Sequence, residues 1–223
     1  MVEIVALPGA SVCFATIQNW PRNVINLVSA GTVAHARARV EWLDCNIGSG
    51  LTLKNPCVRL AGEGAAGRVH TVTFAGRGQT LDAGVSVVHA ASGTESSMVT
   101  RTLVRSGGCA RTGGRVEVEP HARGCRARVR GAALLLDAES NVENEPQLEI
   151  GAPDARVEHE TRRGGPDVEQ IFYLMSRGIP EAEARLALVN GFIEPFARQL
   201  PMEYAVELQR MAQLEMGGPE DAR

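Results

Sequence analysis

The chain has 223 residues, of which 44% are hydrophobic, 22% charged and 4% aromatic, and its formal net charge is -3. This composition is typical of a globular protein and excludes a disordered chain or a strongly basic nucleic-acid-binding domain. No run approaches the ~20 apolar residues that a membrane-spanning helix needs, and the first residues lack the features of a signal peptide. We therefore predict a cytoplasmic protein that binds neither nucleic acid nor a membrane.

The chain uses arginine almost exclusively as its basic residue. Lys54 is the only lysine among the 23 basic residues. Codon bias explains such a preference for arginine, whereas a specific anion site would need arginines that converge in the fold. The sequence alone does not show such convergence.

The cysteines do not form a recognisable framework. They number five and lie at positions 13, 45, 57, 109 and 125. An odd number without C-x-x-C spacing argues against a set of disulfides and against a self-contained zinc site. We predict that all of them are reduced and that most are small buried side chains.

Short runs rich in β-branched residues fill the first part of the chain, with Gly, Asn and Pro between them. Clear runs lie at 11–17, 33–43, 68–74, 85–90, 98–104, 115–118 and 132–136. Each has the length and composition of a strand, and a sandwich, a barrel or a solenoid can hold them. Turns typical of β-hairpins are scarce, which favours a solenoid, although no strict repeat identifies one.

After residue 164 the apolar residues recur at helical spacing. We predict helices at 167–177, 180–198 and 201–216, with Pro195 kinking or ending the second and a frayed tail from 217 to 223. These helices carry more apolar side chains than a thin layer needs. Some are expected to cover the end of the solenoid, and the others to form an exposed patch for a partner.

Motifs along nearly the whole chain resemble the SufB/SufD family of iron–sulfur cluster assembly scaffolds. In chain order they read TIQNW at 16–20, EW at 41–42, NIGS at 46–49, GQ at 78–79, LD at 81–82, VH at 88–89, FYLMSRGI at 172–179, EAEA at 181–184, NGF at 190–192 and LPMEYA at 200–205. The resemblance covers the C-terminal half of typical members, which carry a further N-terminal region.

The resemblance implies both a fold and a function. It implies a right-handed parallel β-helix over residues 1–163 and a small helical subdomain over 164–223. It further implies a non-enzymatic scaffold that carries an iron–sulfur cluster transiently. Its partners would be a SufC-type ATPase on the helices at 167–216 and a second SufB/SufD-type chain, or a second copy of itself, on the β-helix. The chain has no phosphate-binding G-x-x-x-x-G-K-[ST] loop, so ATP chemistry would belong to the partner.

The candidate cluster site is Glu158, His159 and Glu160, which match an acidic–His–acidic run of SufB. Carboxylate and imidazole groups both bind iron, and we take His159 and Glu160 as metal ligands. On a strand, the two glutamates share one face and the histidine lies on the other. The three side chains would therefore need a partner chain to ligate one ion.

The family cysteine before the Ala-Leu-Leu run is replaced here by Gly131. Cys57 lies one residue from a position where some SufB members carry an interior cysteine, and it is the remaining candidate for handling sulfur. A shift of one residue reverses the face of a strand. Cys125 would be about 20 Å from Gly131 on an extended strand. For both cysteines we favour an inert buried thiol.

Two other functions are open on the sequence. A degenerate SufB/SufD-like interaction protein would keep the fold and the ATPase-docking helices without carrying a cluster, which the glycine at position 131 favours. A β-helix enzyme acting on carbohydrates would need paired acids in an aromatic-lined cleft, and the low aromatic content disfavours it.

Overall fold

A computed structural model describes residues 1–200 and 202–217. Within these residues the chain forms seventeen strands and three helices. In chain order the strands are β1 (Val2–Ala6), β2 (Ser11–Gln18), β3 (Ile25–Val28), β4 (Ala30–Ala34), β5 (Arg39–Asn46), β6 (Leu51–Lys54), β7 (Cys57–Leu60), β8 (Ala66–Ala75), β9 (Thr80–Ala83), β10 (Val85–His89), β11 (Glu95–Val104), β12 (Cys109–Arg111), β13 (Gly114–Val118), β14 (Arg126–Leu135), β15 (Asn141–Glu143), β16 (Gln147–Ile150) and β17 (Arg156–Gly164).

The strands form three parallel sheets that run the length of a solenoid. The first sheet has the order β1-β4-β7-β10-β13-β16, the second β17-β14-β11-β8-β5-β2 and the third β15-β12-β9-β6-β3. Each strand pairs with the strand three elements further along the chain, so one strand of each sheet makes up one coil. This arrangement confirms the predicted β-helix and excludes the sandwich and the barrel.

A turn with positive φ recurs before the long strands of the second sheet. Its residues are Gly9, Arg37, Gly64, Gly93 and Gly124, which are about 30 residues apart. Glycine adopts this left-handed conformation at little cost, whereas Arg37 is strained there. The recurring turn is the repeat that the sequence conceals, because one position lacks glycine and the spacing varies.

The three helices follow the last coil. They are α1 (Val168–Ser176), α2 (Glu181–Ala197) and α3 (Met202–Gly217). The carboxylate of Asp167 accepts hydrogen bonds from the amides of Glu169 and Gln170 and so caps α1. Helix α2 ends two residues after Pro195. The predicted position of Pro201 and the predicted tail from 218 lie outside the described residues.

The helices cover the side of the solenoid, and the predicted packing against its end is wrong. Residues of α2 and α3 share an apolar cluster with outward-facing residues of the second sheet. The buried members are Leu43, Cys45, Ile47, Val72, Phe74, Leu103, Val189, Ile193, Phe196, Ala197, Leu200, Leu208, Met211 and Ala212. The physical reason is that the outward-facing residues in the C-terminal halves of β5, β8 and β11 are apolar, so this outer face needs a cover. None of the helices in the described part of the chain has the length and apolar character of a membrane span.

Candidate functional site

Strand β17 carries the predicted cluster site at the open edge of the second sheet. It pairs with β14 on one side, and no described strand lies beyond it. The register places Glu158 beside Arg128, His159 beside Val129 and Glu160 beside Arg130. All three predicted residues are exposed. The last coil therefore presents the triplet to solvent at one end of the solenoid.

The two glutamates lie on the outer face of the sheet, and both are already paired with arginines. The Nε of Arg128 donates to Glu158 over 2.9 Å, and the Nε of Arg162 donates to Glu160 over 2.8 Å. His159 lies on the opposite face, in register with the interior residue Val129. Among the described residues, no group of three His, Cys, Asp or Glu side chains is placed to hold a metal ion. One chain alone thus separates the candidate ligands, as strand geometry requires.

The interior of the solenoid is filled at Gly131. A Cβ atom built on this glycine would lie 2.6 Å from the Nδ2 atom of Asn144 and 2.9 Å from its Oδ1 atom. Asn144 is buried, and its Oδ1 atom accepts a hydrogen bond from Thr100 over 3.4 Å. The amide of Asn144 therefore occupies the space that a side chain at position 131 would use.

The structure does not bring Cys57 near the triplet. Cys57 begins β7 in the first sheet, where Val58 and Leu60 are the buried neighbours and Cys57 itself is half-buried. Burial raises the pKa of the Cys57 thiol; Glu117 adds to the rise, while Arg59 and Arg115 oppose it. The thiol is thus protonated at neutral pH and lies outside the apolar interior. All five cysteines are free.

A row of mostly polar residues, which the sequence alone did not reveal, runs along the inner face of the second sheet and is buried at Asp44, Thr71 and Thr100. Consecutive coils place Thr16, Asp44, Thr71, Thr100 and Gly131 in register, and Thr161 on β17 completes the row. The row therefore connects the first coil to the residue next to Glu160. Its signal in the sequence was the recurrence of threonine at positions of strands where apolar residues would otherwise be expected.

The row is anchored by a buried ion pair. The Nζ atom of Lys54 lies 2.5 Å from an oxygen of Asp44, and the two side chains are 1% and 2% exposed. Thr16 donates a hydrogen bond to the same carboxylate over 2.5 Å, and Asn46 donates over 2.9 Å. A buried charge pair is tolerated only when such additional donors satisfy it. The single lysine of the chain is therefore an interior residue.

Some interior polar atoms of this region have no partner. They are the hydroxyl of Thr73, Oδ1 of Asn46 and Nδ2 of Asn144. A buried polar atom without a hydrogen bond costs about 1 to 3 kcal/mol. The region is consequently less stable than an apolar interior of the same size would be.

Comparison with known proteins identifies the family. The family model described as SUF system FeS cluster assembly, SufBD core domain, matches residues 1–192. The chain belongs to the SufBD family. The resemblance seen in the sequence motifs is thereby confirmed, and the family assignment extends from the first coil into α2.

Curated relatives carry the same family name. An iron-sulfur cluster assembly SufBD family protein of Staphylococcus haemolyticus is 44% identical over 218 residues, which is 98% of this chain and 47% of the relative. Proteins of the same name from Mycobacterium leprae and Mycobacterium tuberculosis are also 44% identical over 218 residues, covering 25% and 26% of those relatives. The chain thus spans about half the length of the staphylococcal relative and about a quarter of the mycobacterial ones.

Proposed function

We propose that this chain is a cytoplasmic, non-enzymatic scaffold subunit of a SUF-type iron–sulfur cluster assembly complex, with the cluster as its cargo. The observation that carries the proposal is family membership over nearly the whole chain, together with a surface suited to partners at the helices and at β17. No step of the proposal requires catalysis by this chain.

Helix α1 supplies the docking surface for a SufC-type ATPase. Val168, Phe172 and Met175 recur at helical spacing and are 76%, 72% and 44% exposed. Ile171 is the buried residue of this helix. An exposed apolar stripe on one helix face is typical of a protein interaction site. The exposed residues Met202, Tyr204 and Val206 at the start of α3 add to the apolar surface of the subdomain.

Co-purification with the cognate SufC-type ATPase tests this docking surface. Phe172→Asp places a charge on the exposed stripe without disturbing the apolar cluster beneath the helices, so the fold is expected to survive. We expect the variant to lose the ATPase. Leu27→Asp, a change of the same kind at a solenoid residue that is 67% exposed, serves as the control and should retain it. Equal retention by both variants would contradict the assignment.

Strand β17 supplies the surface for a second SufB/SufD-type chain or a second copy. An open strand edge has unpaired backbone groups that readily pair with another strand. Such pairing would bring the partner's residues to Glu158, His159 and Glu160, which a single chain cannot assemble around one ion. Thr161→Pro removes a backbone donor from this edge, and we expect it to abolish pairing in size-exclusion chromatography.

Cluster binding is proposed for Glu158, His159 and Glu160, with His159 and Glu160 as the metal ligands. The arginine contacts of the glutamates would have to open to free them. Anaerobic reconstitution with iron, sulfide and thiol is expected to give a visible chromophore that His159→Ala abolishes. His121→Ala, at another exposed histidine, should leave it unchanged.

The alternative is a SufB/SufD-like interaction protein that carries no cluster. The filling of the Gly131 position by Asn144 favours this function, since the site has neither a thiol nor space for one. A chain that binds the ATPase but gives no chromophore with any partner would establish the alternative over the scaffold.

A further inference from the structure

An arginine-lined cavity lies between the outer face of the second sheet and α2. Its volume is about 740 Å³, and its walls come from β8, β11, β14, β17 and α2. Two rows of the sheet face it: Val99 and Arg130 are neighbours in one row, and Arg101 and Arg162 lie two residues further along. Three arginines from three different strands therefore face one space: Arg101, Arg130 and Arg162.

Arg101 is held in place at the inner wall. Its Nη1 atom donates to the carbonyl of Phe192 over 2.6 Å, and its guanidinium lies 5.2 Å from the centre of the Phe192 ring. Burial lowers the pKa of Arg101, yet arginine remains charged at neutral pH. A guanidinium has five N–H donors, so this fixed group keeps donors available to a ligand.

The charge of the cavity is not balanced. In the part of the chain that the structure describes, no carboxylate lies within salt-bridge distance of Arg101 or Arg130. Arg162 is paired with Glu160 over 2.6 Å, and Glu160 is the only acidic residue among the described lining residues. The guanidiniums of Arg101 and Arg130, which have no counter-ion beside a concave space, attract an anion.

We propose that this cavity binds a small phosphorylated organic molecule with a flat or apolar body. Planar guanidinium groups match the oxygens of phosphate in a two-pronged geometry, which favours phosphate over a single carboxylate. Val99, Leu134 and Phe192 give the cavity an apolar side that inorganic phosphate alone would leave unfilled. Ligand pockets of about 300 to 1,000 Å³ hold molecules of this size.

The cavity shares one residue, Glu160, with the proposed cluster ligands. Its central residue, Arg101, belongs to β11 and contacts α2 rather than β17. Because Glu160 touches the same cavity through its pair with Arg162, a bound phosphate would compete for Arg162. The anion site itself is argued from Arg101 and Arg130, neither of which is a proposed cluster ligand.

Titration calorimetry of the full chain with AMP and with 1-naphthyl phosphate tests the proposal. We expect at least one of the two to bind with a dissociation constant below about 1 mM. The controls each lack one recognised group: adenosine and 1-naphthol lack the phosphate, and inorganic phosphate lacks the organic body. Each control should bind at least about tenfold more weakly. Binding of inorganic phosphate as tightly as either ester would contradict the organic part of the proposal.

Exposed arginines provide matched variants. Arg130→Gln removes one unpaired charge from the cavity and should weaken binding about tenfold or more. Arg156→Gln removes an exposed arginine of β17 that does not line the cavity, and it should leave the affinity unchanged. Circular dichroism verifies that each variant is folded.

Two results would overturn the proposal. One is that neither phosphate ester binds at about 1 mM, which would leave the cavity without its ligand class. The other is an equal loss in both variants, which would mean that the esters respond to the general positive field of β14 and β17. Neither result bears on ATPase docking or on the chromophore.

Discussion

The inner face of the second sheet has two regions of different character, an apolar one and a polar one, only a few residues apart along each strand. Toward the N-terminal ends, Val40, Trp42, Val69, Met98 and Val129 form a continuous apolar core with the first sheet. Two residues further along, the row from Asp44 to Gly131 is polar. The two regions share the same strands, coils and degree of burial, so the difference lies in the side chains alone. The apolar region provides the stability that allows the polar row to persist with unsatisfied atoms.

The largest effect is expected in the apolar region. Trp42 is 1% exposed and packs against Phe14, with 4.7 Å between the ring centres. Trp42→Ala should reduce the free energy of unfolding by about 3 to 5 kcal/mol, because the removed side chain leaves a cavity. Urea unfolding measures the loss. Trp20→Ala, at a tryptophan that is 52% exposed, should cost less than about 0.5 kcal/mol. Similar losses for both would refute the assignment of the apolar region as the source of stability.

The ion pair of the polar row should respond differently to single and double changes. Lys54→Met leaves the carboxylate of Asp44 buried without a counter-charge and should cost about 3 kcal/mol. The donors Thr16 and Asn46 remain, which keeps the loss at the lower end of the usual range. Adding Asp44→Asn should recover most of the stability, since the remaining amide is neutral. A double variant as unstable as the sum of the single ones would show that the pair is not coupled.

The contrast between the two interiors explains what the sequence predicts and what it does not. Strand periodicity puts Val69, Thr71 and Thr73 on one face of β8 and His70, Val72 and Phe74 on the other. Alternation alone did not show which face is inside, because the threonines line the interior and Phe74 lies outside under α2. The helix cover could not be derived locally, since it depends on residues more than 100 positions away.

At the candidate site, too, the sequence predicts which residues matter but not how the fold brings them together. Family resemblance located Glu158, His159 and Glu160 and the glycine at position 131. It did not show that Asn144 fills the space beside Gly131, because the two residues meet only through the coil geometry. The arginine cavity was likewise hidden, although the unusual use of arginine was visible. Convergence of side chains from five elements is a property of the fold and not of any motif.

Gly131 offers a finer test of the polar row. Gly131→Ala should cost about 1 to 3 kcal/mol, because the new methyl group meets the amide of Asn144. Combining it with Asn144→Ala, which frees the space, should restore part of that loss. Urea unfolding of both single variants and of the double variant gives the coupling energy. Strict additivity would contradict the contact between these two positions.

The smallest effect concerns His89, a polar group of the apolar region whose hydrogen bonds are satisfied. Its Nδ1 atom lies 2.7 Å from the hydroxyl of Thr94, and its Nε2 atom lies 2.8 Å from that of Ser96. Burial lowers the pKa of His89 to about 4. The unfolded chain, with a histidine pKa of about 6.5, therefore binds the proton more readily than the folded chain does. The stabilising effect is complete above pH 6.5 and is lost as the pH falls toward 4, so lowering the pH from 7.5 to 5 should cost about 1 to 2 kcal/mol.

Urea unfolding at the two pH values separates this effect from a change in overall stability. His89→Gln is expected to lower stability at pH 7.5, where the native hydrogen bonds of the ring matter, and also to reduce the difference between the two pH values. His121→Gln removes an exposed histidine and should leave that difference unchanged. If the pH difference persisted in the His89 variant, the loss of stability would have to come from other groups. Burial also lowers the pKa of His70, which would be the next residue to replace. The reverse sign, with greater stability at pH 5, would contradict the neutral buried state of His89.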